Sequence, residues 1–320
     1  MVQNARIRYQ FEVRRNITIL QGDSATGKTA LIEMIRDFYE NGADSGVELR
    51  CERTCAVLEG RNWETILSTL DQSIIFIDEG NAFVRSEVFA KAIRQTDNYY
   101  VIVTRERLPM LSYGVDEIYG IRTSGKYGNL KQVFQEFYHL YGAKSFGEIL
   151  CPDIVITEDS GSGYEFFKDI CEKNNKKCIS AEGKSNIISK LEMVDRKKGL
   201  VLVTADGAAF GSEISRLTEY LKRQEDVVLY LPESFEWLIL KSGVIQSKWI
   251  KDILRKPENY IESKDYFSWE QFFTAFLVEI TQNTYLKYSK SRLNPSYKQA
   301  KVEQGVLKVM EKIVFQKPKV

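Results

Sequence analysis

Apolar residues recur along this chain in two rhythms, short β-branched runs alternating with longer stretches at helical spacing. Ile7 to Val13 alternates as a strand, and Ile17 to Leu20 reads as a buried strand. Leu31, Ile32, Met34, Ile35 and Phe38 then fall on one helical face. Val47 to Cys51 predicts a strand, Trp63 to Leu70 a helix, Ile74 to Ile77 a strand and Phe83 to Gln95 a helix. Tyr100 to Thr104 follows as a strand, with a short one expected around Glu117 to Ile121. Leu130 to Tyr141, with Phe134, Phe137, Tyr138 and Tyr141, predicts a closing helix with His139 packed at its end. Alternating strands and helices imply a parallel sheet with helices on its faces. Turn-forming residues cluster in Gly142 to Pro152 and mark a boundary.

The alternation then repeats. Asp153 to Thr157, Lys177 to Ser180, Leu200 to Thr204 and Val227 to Leu231 predict strands. Tyr164 to Asn174, Ile187 to Met193 and Ser212 to Arg223 predict the helices between them. Glu158 and Asp206 stand just past the carboxyl ends of two of these strands, the edge where open parallel sheets bind ligands. From Glu233 onward the pattern is helical and aromatic, through Trp237, Trp249, Phe267, Trp269, Phe272, Phe273 and Phe276. The expectation is α/β throughout, with a parallel-sheet domain over 1–145, a second Rossmann-like domain over 150–240 and a helical, basic region over 241–320.

Composition narrows this picture. The 320 residues are 43% hydrophobic and 28% charged, with a net charge of +1, ordinary for a globular chain without an electrostatic preference overall. Residues 285–320 depart from that balance, with nine Lys or Arg against two Asp or Glu. Tyr285, Tyr288 and Tyr297 interleave with them, a pattern that suits either a nucleic-acid-tracking arm or a helix packing Val306, Val309, Ile313 and Phe315 on the body. No apolar run is long enough to span a bilayer, and no apolar stretch follows Arg6 and Arg8, so the expectation is a cytoplasmic protein with no membrane partner. Five cysteines are read as reduced thiols, Cys51 and Cys55 being two thiols near a turn. A single histidine excludes multi-histidine metal sites.

The chemistry concentrates early. Gly22, Asp23, Ser24, Ala25, Thr26, Gly27, Lys28 and Thr29 match the phosphate-loop pattern G-x-x-x-x-G-K-[ST], between a strand and a helix. The glycines let backbone N–H groups face an anion, and the helix beginning near Lys28 points its positive end at it. Lys28 is expected on the β- and γ-phosphates and Thr29 on Mg²⁺. Ser73 to Ile77 leads into Asp78 and Glu79, where Asp78 is expected to hold Mg²⁺ through water and Glu79 to act as general base. No N-K-x-D guanine-reading motif occurs, which favours ATP as the nucleotide. Gly183-Lys184-Ser185 lacks the earlier glycine and is not a second such loop.

The pair of motifs resembles P-loop NTPases of the additional-strand, catalytic-glutamate class, which includes AAA+ and ABC ATPases. The resemblance implies ATP hydrolysis, with a further strand lying between the two motif strands and carrying a polar sensor at its tip. Tyr99 to Thr104 is the candidate strand and Thr104 the candidate sensor, with Arg105 and Arg107 as candidates for γ-phosphate contact in cis or trans. The L-S-G-G-Q-like signature of ABC transporters does not precede Asp78.

Residues 150–240 resemble, through short motifs, the TOPRIM fold of topoisomerases, primases and overcoming-lysogenisation-defect nucleases. In that family a glutamate after the first strand and a D-x-D after a later one bind Mg²⁺. Glu158 and Asp206 match the first two positions, while Ala208 stands at the third. Asp159, Glu213, Glu233 and Glu236 are the candidates to compensate. Two outputs stay open: a TOPRIM-like module acting on DNA or RNA under ATP control, and a nucleotide-dependent switch that binds another protein or a second copy of itself.

Overall fold

The structure is a computed structural model and describes residues 1–22, 26–125, 132–142, 146–195, 199–261 and 265–316. The chain divides into two compact units, Met1–Gly142 with Glu262–Ser268, and Ala143–Ile261 with Trp269–Val320. Both are α/β. The helical region beyond residue 241 belongs to the second unit, apart from a short return to the first. That return is tied down by Asn16, whose side-chain amide donates to Phe267 O at 2.7 Å.

The first unit holds β1 (Val2–Gln3), β2 (Ile7–Gln10), β3 (Ile17–Leu20), α1 (Lys28–Asn41), β4 (Glu48–Leu49), β5 (Cys55–Val57) and α2 (Trp63–Leu67). It continues with β6 (Ile74–Ile77), α3 (Glu87–Ile93), β7 (Tyr99–Val103), β8 (Ile118–Thr123) and β9 (Val133–His139). Among the described residues these strands form one nine-stranded sheet in the order β4-β1-β2-β9-β8-β3-β7-β6-β5. Strands β8, β3, β7, β6 and β5 run parallel, and β7 pairs with both β3 and β6. All four residues of β3 are buried, as expected of a central parallel strand. Asn98 fixes the start of β6, accepting from Ser73 N at 2.8 Å and donating to Leu70 O at 2.9 Å.

The sheet is mixed, where the alternation predicts a wholly parallel one. β9 pairs antiparallel with β8, and β1 pairs antiparallel with β2 and β4. Residues 133–139 form this β9 strand in place of the predicted closing helix. Phe137 stacks on Phe11 with ring centroids 4.1 Å apart and tilts against Tyr119. Aromatics favour such cross-strand partners, and their spacing alone does not separate a helix from a strand. His139 is exposed on β9, with Nδ1 2.8 Å from Asp116 O, and so is not at a helix end.

The two edges of this sheet are joined by a short link. Leu49 ends β4 at one edge and Cys55 begins β5 at the other. Nine strands laid flat would separate those edges by about 38 Å, whereas the six residue steps between Leu49 and Cys55 reach at most about 21 Å. The sheet therefore curls, and α1 packs against β1, β4, β5 and β6. Leu31, Ile32, Met34 and Ile35 fill the interior with Phe76, Val101 and Val103. Each such side chain contributes about 1.5–3 kcal/mol on burial.

The second unit contains β10 (Ile154–Thr157), α4 (Ser162–Lys173), β11 (Lys177–Ser180), α5 (Ile187–Met193), β12 (Val201–Thr204), α6 (Gly211–Leu221) and β13 (Val227–Tyr230). These follow the predicted pattern closely. The four strands are parallel in the order β11-β10-β12-β13. Helices α7 (Phe235–Lys241), α8 (Ile250–Arg255), α9 (Trp269–Thr281) and α10 (Ala300–Val309) complete the unit, and α7 packs against α9 and α10. The basic tail is core rather than arm over most of its described length. Tyr288, Tyr297, Val302, Val306, Ile313 and Phe315 are buried, and Tyr288 packs edge-on to Tyr297. Tyr285 alone of the three tyrosines is exposed, at 69%, so Tyr288 and Tyr297 present no face for base stacking.

Candidate functional site

In the first unit, the chain turns from β3 into α1 through the glycine loop. Gln21 N donates to Tyr119 O at 2.8 Å and anchors the loop to β8. Gly22 and Gly27 have φ of 121° and 96°, values that favour glycine. Asp23, Ser24 and Ala25 lie outside the described residues. Lys28 is the first residue of α1 and only 6% exposed. Its Nζ donates to Gly22 O at 3.0 Å and to Thr26 Oγ1 at 2.8 Å, so the loop folds over the ammonium. A buried cation at the positive end of a 14-residue helix is suited to receive an anion.

A cavity of about 320 Å³ opens over this turn, lined by Thr26, Gly27, Lys28, Thr29, Glu79, Val103 and Arg105, with Ala30. Three segments distant in sequence thus converge: the glycine loop, the acidic end of β6 and the tip of β7. Glu79 Oε1 is 3.1 Å from Arg105 Nε, and both side chains are about half exposed. Asp78 Oδ1 accepts from Glu79 N at 2.8 Å, which shapes the turn after β6. The Thr104 hydroxyl accepts from Glu106 N at 3.0 Å and so shapes the turn after β7, leaving Val103 and Arg105 as the cavity wall there. For a cation, Thr29 and Asp78 offer oxygen donors only, the set a hard ion such as Mg²⁺ takes.

Tyr9 is a member of this site that no motif marks. It lies on β2 with 0% exposure, and its hydroxyl donates to Gly27 O at 2.7 Å. Burial pushes that phenol up to about 12, so it remains a donor at neutral pH. The alternation of Ile7 to Val13 places Tyr9 on the inner face of a strand but says nothing about which loop it meets.

In the second unit, Glu158 and Asp206 do come together at the carboxyl edge of the sheet. Glu158 Oε2 accepts from Asp206 N at 3.1 Å, and Asp206 Oδ1 accepts from Phe235 N at 3.1 Å. Asp159 turns back on its own loop, accepting from Gly161 N and Gly163 N at 3.1 Å each. Ala208 is 3% exposed and carries no ligand atom. Glu236, on α7, is 1% exposed, with Oε1 accepting from Tyr288 Oη at 2.8 Å. Lys290 Nζ donates to Glu270 Oε1.

The electrostatics show crowding. Burial, then the neighbouring carboxylates, pushes Glu158 up to about 7 and raises Asp159 and Asp206. Asp206 is raised by burial and then by Glu236, Glu270 and Glu158, against the opposing pull of Lys290. For Lys290 itself, burial lowers the pKa, but Glu236, Glu270 and Asp206 outweigh it and the ammonium is raised. Among the described residues, no group of three or more His, Cys, Asp or Glu is placed to hold a metal ion. Glu158, Asp206 and Glu236, one of the candidates to compensate, lie in one cluster of carboxylates. Glu270, Tyr288 and Lys290 were invisible from sequence, because only the topology of α9 and the tail brings them to this edge.

Comparison with protein-family models, with curated proteins and with solved structures finds no match to this chain. No helix among the described residues is long and apolar enough to cross a membrane.

Proposed function

We propose that the first unit binds and hydrolyses Mg·ATP as a P-loop ATPase of the additional-strand, catalytic-glutamate class. One observation carries this reading: Lys28, Thr29, Glu79 and Arg105 line a single cavity, although they come from three separate stretches of the chain. The order β8-β3-β7-β6-β5, with β7 between the two motif strands, supports it. The loop N–H groups and the start of α1 receive the phosphates. Lys28 turns its ammonium to the β- and γ-phosphate oxygens, a charge-assisted contact. Thr29 and, through water, Asp78 would hold Mg²⁺, which when bound neutralises charge on those oxygens. Glu79 takes a proton from the attacking water once Arg105 turns from Glu79 to the γ-phosphate.

Glu79→Gln tests the assignment. ATP binding persists and hydrolysis slows by at least about a hundredfold, since an amide accepts no proton. Wild-type turnover in that variant would place the base elsewhere.

A specific observation favours a second reading for the other unit, a nucleotide-dependent protein-binding module without metal-dependent nuclease chemistry. Glu270 is already paired with Lys290 and Glu236 is bonded to Tyr288, partners supplied from within the chain.

A further inference from the structure

The curl of the nine-stranded sheet brings two cysteines together at its seam. Cys51 lies just past β4, at one edge, and Cys55 begins β5, at the other. Both ends of the link are pinned, Leu49 by pairing with Val2 and Cys55 by pairing with Ile74. Cys51 is exposed and Cys55 is buried. Both line a cavity of about 390 Å³ with Phe38 and Tyr39 of α1, Leu49 and the bend Glu52-Arg53-Thr54. The Cys55 thiol donates to the Arg53 carbonyl at 3.8 Å, across the bend that separates it from Cys51.

We propose that Cys51 and Cys55 form a redox-active dithiol that closes the sheet seam as a disulfide, Cys51 being the attacking sulfur and Cys55 the resolving one. The partner is a low-molecular-weight disulfide. The Cys51 thiolate attacks one sulfur of that molecule, its S–S bond breaks, and one thiolate leaves. Cys55 gives up its proton to the leaving thiolate and attacks Cys51 Sγ, expelling the second thiolate, which takes a proton from solvent. The two protein sulfurs lose two electrons and the partner gains them, becoming two thiols. The environment matches this division of labour. The neighbouring Cys55 thiol, against burial, draws Cys51 down to about 6, while Cys51 and burial push Cys55 up. A low-pKa, exposed thiol beside a buried resolving thiol is the arrangement from which disulfide exchange proceeds.

The test uses the full chain equilibrated with mixtures of reduced and oxidised glutathione, quenched with an alkylating reagent and read by peptide mass spectrometry. The expected result is a Cys51–Cys55 disulfide appearing as one two-electron couple while Cys151 stays alkylated. Cys55→Ser should stop at glutathione on Cys51, and Cys51→Ser, at an exposed position that tolerates the change, should leave Cys55 unmodified. Stable glutathione on wild-type Cys51 without closure overturns the proposal, and so does Cys51 reacting no faster than Cys151.

Discussion

Gly27→Ala isolates the contact that holds the phosphate loop against the sheet. Gly27 sits at φ 96°, where a side chain costs roughly 1–2 kcal/mol. A Cβ there would also meet Tyr9 Oη at 2.8 Å, with the next Tyr9 atom, Cζ, at 3.7 Å. Tyr9 is fully buried and cannot swing away, so the overlap adds about 1–3 kcal/mol, for a total of about 2–5 kcal/mol. The two parts separate in a double-mutant cycle. Tyr9→Phe alone removes one hydrogen bond and costs about 1 kcal/mol. In the Gly27→Ala background it removes the overlapping oxygen and leaves an ordinary contact, so it should restore about 1–3 kcal/mol while the backbone strain remains. Urea denaturation of the four proteins, followed by tryptophan fluorescence, gives the coupling. Additive losses would refute the idea that Tyr9 packs directly on the loop, and a Gly27→Ala protein as stable as wild type would refute the strained turn.

The remaining predictions concern the second unit. Glu158 is raised from its ordinary value of 4.5 to about 7, so the folded state holds its proton more tightly than the unfolded chain. Its burial is unpenalised below about pH 4.5 and costs stability progressively as pH rises to about 7, by up to about 3 kcal/mol. Glu158→Gln should therefore stabilise the chain at about pH 8 and bring no gain at about pH 4, and a pH-independent difference in denaturation midpoint would show that the carboxyl ionises freely. Under every combination of ATP, Mg²⁺ and Mn²⁺ the full chain should leave DNA and RNA intact, and cleavage that Glu158→Ala and Asp206→Ala both remove would overturn the non-nuclease reading of this unit.

What could be read ahead of the structure follows the range of the interactions. The glycine loop was legible as a turn between strand and helix because its pattern sets glycines where the backbone takes positive φ, at Gly22 and Gly27. Strands β10 and β12 of the second unit were legible because each is a short β-branched run buried at every residue, and β11 and β13 followed from the alternation with helices. β9 was not, since Phe134, Phe137 and Tyr138 satisfy a helical period until β8 supplies partners. β5 was missed because Cys55–Val57 is a three-residue strand whose pairing with β6 is long-range. The seam between Cys51 and Cys55 needs the strand order before it exists at all. Tyr9 at the loop, and Lys290 and Tyr288 among the carboxylates, are likewise placed by topology. Arg105 was named from its position after β7, but its pairing with Glu79 emerges only in three dimensions.

The central claim is that the cavity over Lys28 is a Mg·ATP site. Isothermal titration of ATP with Mg²⁺ into the wild type and into Lys28→Ala tests it most directly. The account predicts one saturable site in the wild type and its loss in the variant, because the phosphates lose their buried cation. Equal affinity in the two proteins, with both shown to be folded, would contradict it.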